Sequence, residues 1–241
     1  MKLVILAGGF GTRISEETDY IPKPMVKIGT KPILWHIIKY YSTFGISNFI
    51  ICGGYKQNLI KNYFNDIKKK KSKIESKWEV VVVNTGKKSN TGERLRRVQK
   101  YLDSTFCLTY GDGLCDVNIN NLLSFHKKNK ALVSLTAIKP ESRFGKLIIQ
   151  GNKVSRFNEK DQSKESWING GFFVCDKKIF SLFKKKNSIF ENDLLTILAN
   201  KNKLAAYKHK SFWYCMDTLR DKRYLNKLWI SNKAPWKVWN D

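Results

Sequence analysis

Apolar residues in the first 140 positions fall into short unbroken runs, separated by stretches where they recur every three or four residues. After its lysine, the run over residues 2–7 is continuously apolar, as a strand buried on both faces of a parallel sheet requires. In residues 32–44, Ile33, Leu34, Ile37, Ile38 and Tyr41 recur at helical spacing, with Pro32 in a first-turn position and Gly45 as the stop. The same reading predicts strands over 49–52, 78–83, 106–110 and 132–138, and helices over 56–64, 93–101 and 122–128. Strand and helix alternating in this way imply βαβ units and a mostly parallel sheet flanked by helices. Past residue 140 the rhythm changes. Segments 144–149 and 154–157 around Gly151-Asn152 predict an antiparallel hairpin, followed by a strand over 168–175 and a helix over 189–199. A short strand over 213–216 and a helix over 219–229 complete a smaller α+β part. With no internal repeat and no Ser/Pro linker, the simplest organisation is one domain over residues 1–241.

Composition narrows the classes. The chain is 42% hydrophobic and 13% aromatic, enough for a full core. Its apolar start is too short for a signal peptide, and no run is long enough to span a bilayer. A cytoplasmic protein without a membrane partner is expected. The formal charge of +25 invites a nucleic-acid reading, yet only eight of the 45 basic residues are arginine and no reading module is visible. The densest run, residues 68–73, reads as a loop. No nucleic-acid partner is expected, and a positive field suits polyphosphates equally. The five cysteines are scattered without Cys-x-x-Cys spacing and read as small core hydrophobes, with no zinc site.

Ligands of open parallel sheets sit beyond the carboxyl ends of strands. Directly after the first strand comes Gly8-Gly9-Phe10-Gly11-Thr12-Arg13. Its glycines let backbone N–H groups approach an anion, and Arg13 can fork onto phosphate oxygens. The loop is neither a dinucleotide fingerprint, because Ile14 holds the third glycine position, nor a P-loop. By itself it also suits a tight strand-to-loop turn, a reading that the adjacent arginine weakens. Asp112, between Gly111 and Gly113 after another apolar run, offers a carboxylate to a divalent cation or closes an Asx turn. Asp217 is a second such carboxylate, or, with Thr218, a helix cap. Pro22 and Pro24 fix the backbone of Lys23, which favours an ammonium poised for phosphate, although a solvated loop lysine reads the same.

Taken in order, residues 6–13, Pro22-Lys23-Pro24-Met25 and Gly111-Asp112-Gly113 resemble the sugar-1-phosphate nucleotidyltransferases, above all the glucose-1-phosphate cytidylyltransferases. Ser15-Glu16-Glu17-Thr18, Thr91-Gly92-x-Arg94-Leu95, Ile168-Asn169-Gly170-Gly171-Phe172-Phe173 and Met216-Asp217-Thr218-Leu219-Arg220-Asp221 extend the resemblance over the whole chain. The resemblance implies a Rossmann-like, GT-A-like α/β fold, with residues 1–140 as the nucleotide-binding half and 141–241 as the sugar-phosphate-binding half. It implies CTP and a sugar 1-phosphate as substrates, Mg²⁺ as cofactor and a homo-oligomer. Carried over by position, Leu6, Ala7, Gly8, Gly9, Gly11 and Thr12 would cradle the nucleotide, with Ser89 and Arg94 helping to hold it. Arg13 and Lys23 would be the catalytic cations. Asp112 and Asp217 would ligate Mg²⁺, while Asn169, Gly170, Glu159 and Lys160 would hold the sugar phosphate. The chain departs from the family at Asp161, where a proline usually follows the Glu-Lys pair, and in a shortened, lysine-rich segment over 65–77.

Overall fold

Strand β1 (Lys2–Leu6) sends Leu3 and Ile5 into one apolar layer and Val4 and Leu6 into the other, which is why its sequence shows no polar alternation. The computed structural model describes residues 1–69, 75–140, 146–150, 153–158 and 167–240. From β1 the chain runs through α1 (Ile33–Ser42), β2 (Asn48–Gly53), α2 (Gln57–Lys69), β3 (Glu79–Asn84) and α3 (Thr91–Arg97). It continues through β4 (Thr105–Tyr110), β5 (Gly113–Cys115), α4 (Ile119–Asn129) and β6 (Val133–Ile138). A two-stranded hairpin, β7 (Lys146–Gln150) with β8 (Lys153–Asn158), precedes β9 (Ile168–Asp176). The last elements are α5 (Thr196–Asn200), β10 (Leu204–His209), β11 (Trp213–Cys215) and α6 (Leu219–Ile230).

Seven strands form one sheet in the order β10–β6–β9–β4–β1–β2–β3. Parallel pairs join β1 to β2 and β4, β2 to β3, and β6 to β10, while β9 runs antiparallel between β4 and β6. The mostly parallel sheet is therefore as expected, and β9 brings the second half of the chain into it. Helices α1, α2, α4 and α6 cover one face; α3 and the segment around α5 cover the other. Among the described residues, no helix is long and apolar enough to cross a membrane.

Element ends shift for local reasons. Pro32 caps α1 rather than entering it, with an extended ψ of 150°. The lysine run expected in a loop begins inside α2, whose last turn holds Lys68 and Lys69, where cations favour the helix dipole. The helix expected over 189–199 opens as a wider π-helix, Phe190–Leu195, before α5. Strands β5 and β10 had no counterpart in the sequence reading.

Behind α1 lies a sealed aromatic cluster. The Trp229 ring lies 4.5 Å from that of His36, which is fully buried. His36 Nε2 donates to the Ile28 carbonyl at 3.0 Å, and its Nδ1 accepts from Trp236 Nε1 at 3.4 Å. A carbonyl can only accept, so the proton sits on Nε2 and the ring is neutral. Burial pushes its pKa down to about 4.

Candidate active site

Leu6 lies opposite both Cys52 and Tyr110, so the carboxyl ends of β1, β2 and β4 open side by side. Above them lies a cleft of about 640 Å³. The glycine loop forms one wall, and at Gly8 and Gly11 only glycine fits. A Cβ on Gly8 would stand 2.1 Å from Arg94 Nη1, and Gly11 has φ 73°. Arg94, buried under the loop, donates through Nη2 to the carbonyls of Gly8 (2.9 Å) and Lys87 (3.2 Å). Its Nη1 donates to Thr85 Oγ1 (2.9 Å), Gly86 O (2.7 Å) and Gly53 O (3.3 Å). One guanidinium thus ties together the loops that follow β1, β2 and β3.

The two carboxylates meet through a short two-stranded pairing of distant segments. β5 and β11 pair antiparallel with Gly113 opposite Cys215, and Met216 N donates to Asp112 O at 2.9 Å. Asp112 and Asp217 flank that strand pair and face each other. Asp217 has no capping duty, because Thr218 caps α6 in a capping box with Asp221. Lys23 Nζ donates to Asp112 Oδ2 and to Asp217 Oδ1, each at 2.6 Å. Arg13 Nη1, on a side chain that is 71% exposed, donates to Asp217 Oδ2 at 2.7 Å. Burial opposes the charge on Lys23, but the Asp112 carboxylate and the hydrogen bonds to both aspartates outweigh it and hold its pKa above the usual value. Cys215 Sγ lies within 4.8 Å of oxygens of both aspartates, and burial pushes its thiol pKa up, with Asp112 and Asp217 adding to the effect.

Across the cleft stands a second, hydroxyl-rich group. Tyr110 donates to Glu191 Oε1, and Thr91 Oγ1 donates to Glu191 Oε2 at 2.7 Å. Asn169 Nδ2 donates to the Tyr110 oxygen at 3.4 Å, and Trp213 Nε1 to Gly170 O at 2.6 Å. Burial, reinforced by Glu191, keeps the Tyr110 phenol protonated.

Most of the residues singled out from the sequence come together here. Leu6, Ala7, Gly8, Gly9, Gly11, Thr12 and Arg13 line the cleft, as do Lys23, Ser89, Arg94, Asp112 and Asn169. Asp217 joins them through its ion pairs, and Gly170 through its carbonyl. Glu159 and Lys160 lie outside the described residues. The sequence reading did not single out Tyr110, Glu191, Trp213 or Cys215, all of which line the cleft. The aromatic run Phe212-Trp213-Tyr214, leading through Cys215 to Met216-Asp217, was the one available signal for the last two. Four of the five cysteines are buried as expected, and Cys215 is half-buried.

The Nucleotidyl transferase family model matches residues 2–241. The glucose-1-phosphate cytidylyltransferase of Salmonella typhi is 47% identical over 99% of this chain and 100% of its own length. The enzyme of the same name from Salmonella typhimurium is 46% identical with the same coverage. Among solved structures, a UDP-glucose pyrophosphorylase complexed with UDP-glucose superposes with a TM-score of 0.74. It covers 96% of this chain and 98% of its own at 19% identity, a likeness of fold.

Proposed function

Because this chain belongs to the nucleotidyl transferase family, we propose that it transfers a cytidylyl group from CTP to a sugar 1-phosphate, with glucose 1-phosphate as the acceptor. The products are a CDP-sugar and pyrophosphate. The observation that carries the reading is the meeting, at one cleft, of a glycine loop, two cations and two carboxylates drawn from four separate parts of the sequence. Full-length identity of 47% to a glucose-1-phosphate cytidylyltransferase supports the choice of base and acceptor.

A phosphate oxygen of the sugar 1-phosphate attacks the α-phosphorus of CTP. The new P–O bond forms as the bond to the β-phosphate oxygen breaks, and pyrophosphate leaves with that electron pair. The nucleophile is already ionised at neutral pH, so no general base is needed. The task is to hold two polyanions together and offset the charge that develops in the transition state. Gly8 to Thr12 present backbone to the nucleotide, with Ser89 beside them. Arg13, on the open side of the cleft, meets the polyphosphate. Lys23, fixed by its prolines, lies beside the α-phosphate. Asn169 and Gly170 face the acceptor's sugar, and Glu159 and Lys160 serve its phosphate. Arg94 acts at one remove, by holding the glycine loop in shape.

Asp112 and Asp217 suit a hard divalent cation such as Mg²⁺. Their oxygens already converge on one positive centre, the Lys23 ammonium, and the protonated Cys215 thiol adds no hard donor. When bound there, Mg²⁺ would neutralise phosphate charge and align the leaving group. The test is pyrophosphate release with Mg²⁺, using CTP, UTP, dTTP, GTP and ATP against glucose 1-phosphate and a panel of other phosphorylated acceptors. Release confined to CTP with glucose 1-phosphate is expected. CTP turnover with a different acceptor would reassign the substrate, and silence from folded protein would overturn the reading.

A further inference from the structure

The place between Asp112 and Asp217 is taken by Lys23. Its Nζ lies 2.6 Å from one oxygen of each carboxylate. A hard cation held by the same two oxygens would sit about 2.0–2.6 Å from each of them. Ammonium and cation therefore compete for one volume, and their charges repel across it. The lysine is not there by chance of rotamer. Its side chain is buried beside Gly11, and its backbone is pinned between Pro22 and Pro24 in a 3₁₀ turn closed by Val26 N on Lys23 O at 3.1 Å. Arg13 differs. It reaches Asp217 on a side chain that is 71% exposed.

We propose that Lys23 makes this cation site conditional on the nucleotide. Without a polyphosphate, the ammonium keeps divalent cations out; a nucleotide phosphate gives Lys23 another partner and frees both carboxylates for the cation that arrives with it. The ligand of the site is thus a cation–polyphosphate complex rather than either component alone, and the two affinities are coupled reciprocally. This inference rests on the reading above that Asp112 and Asp217 hold the cation.

The test uses Mn²⁺ as the probe, with binding followed by electron paramagnetic resonance. Proton relaxation enhancement separates protein-bound Mn²⁺·CTP from the same complex free in solution. Wild type, Lys23→Met, Lys23→Gln and the double variant Lys23→Met/Asp112→Asn are compared with and without CTP. The two lysine variants guard against one of them failing to fold. Wild type alone is expected to bind Mn²⁺ only weakly. Neutralising Lys23 should tighten nucleotide-free binding about tenfold or more, and Asp112→Asn should abolish that gain. Equal, tight binding to nucleotide-free wild type and the lysine variants would overturn the proposal. So would weak binding to all of them while wild type takes up Mn²⁺ with CTP, an outcome that leaves the proposed function standing. No protein-bound Mn²⁺ even with CTP would remove the metal from the proposed function and this inference with it.

Discussion

Lys23 and His36 are both basic and both nearly shut off from water, at 8% and 0% exposure, yet one is charged and the other neutral. Lys23 meets two carboxylates at 2.6 Å and stays charged. His36 meets a carbonyl and an indole N–H and stays neutral. Burial penalises charge in both places, so the partners decide the outcome. In the cleft, carboxylates hold a buried ammonium; in the aromatic cluster behind α1, His36 has only neutral hydrogen-bond partners.

Removing a partner at the charged end should have the largest effect. Asp112→Asn keeps the shape but leaves Lys23 one carboxylate, and pyrophosphate release is expected to fall about a thousandfold or more. Circular dichroism of the variant should match wild type, and retention of more than a tenth of the activity would break the contrast. The neutral end should answer to pH instead. His36 binds its proton more weakly folded, at about 4, than its ordinary 6.5, so acid favours the unfolded chain. The stability it contributes is complete above pH 6.5 and is lost as pH falls toward 4, in all about 3 kcal/mol. Urea midpoints at pH 7, 5.5 and 4.5 should drop more steeply for wild type than for His36→Leu; parallel slopes would show that the ring is not held neutral.

Two smaller effects sharpen the contrast within the cleft wall and along the helix that joins the two regions. Gly8→Ala pushes a methyl into Arg94 and should destabilise by about 2 kcal/mol in urea unfolding. Gly9→Ala, with nothing within 4 Å of its Cβ, should stay within about 0.5 kcal/mol of wild type. α6 starts beside Asp217 and carries Trp229 to His36. Loss of its cap in Thr218→Ala should lower stability by about 1 kcal/mol, with most of the turnover retained.

The parts of the molecule that could be read from sequence are those whose signal is local. β1, β2 and β4 are largely apolar runs because both their faces are covered, and glycine or aspartate at their ends marks the loops that bind. β10 escaped notice because it is an edge strand whose alanines and lysine carry no strong alternation. β5 escaped because three residues are too few to show a pattern. The pairing of β5 with β11 brings Asp112 to Asp217 across about a hundred positions, and no local periodicity records such a contact. Glu191 sits in what reads as an ordinary helix start, and only the π-helix turns it toward Tyr110. Cys215 reads as one more buried thiol until the pairing of β5 with β11 sets it beside the two aspartates.

Arg94 has a consequence in heat rather than in rate. Because one side chain already holds the loops after β1, β2 and β3, little chain remains to be ordered when a nucleotide enters. The heat-capacity change of binding then reports the apolar surface of the ligand and the cleft, with almost no share from folding of the wall. Shortening that side chain would move part of the ordering from the folding of the protein to the arrival of the ligand, and calorimetry would register the transfer as a more negative heat-capacity change.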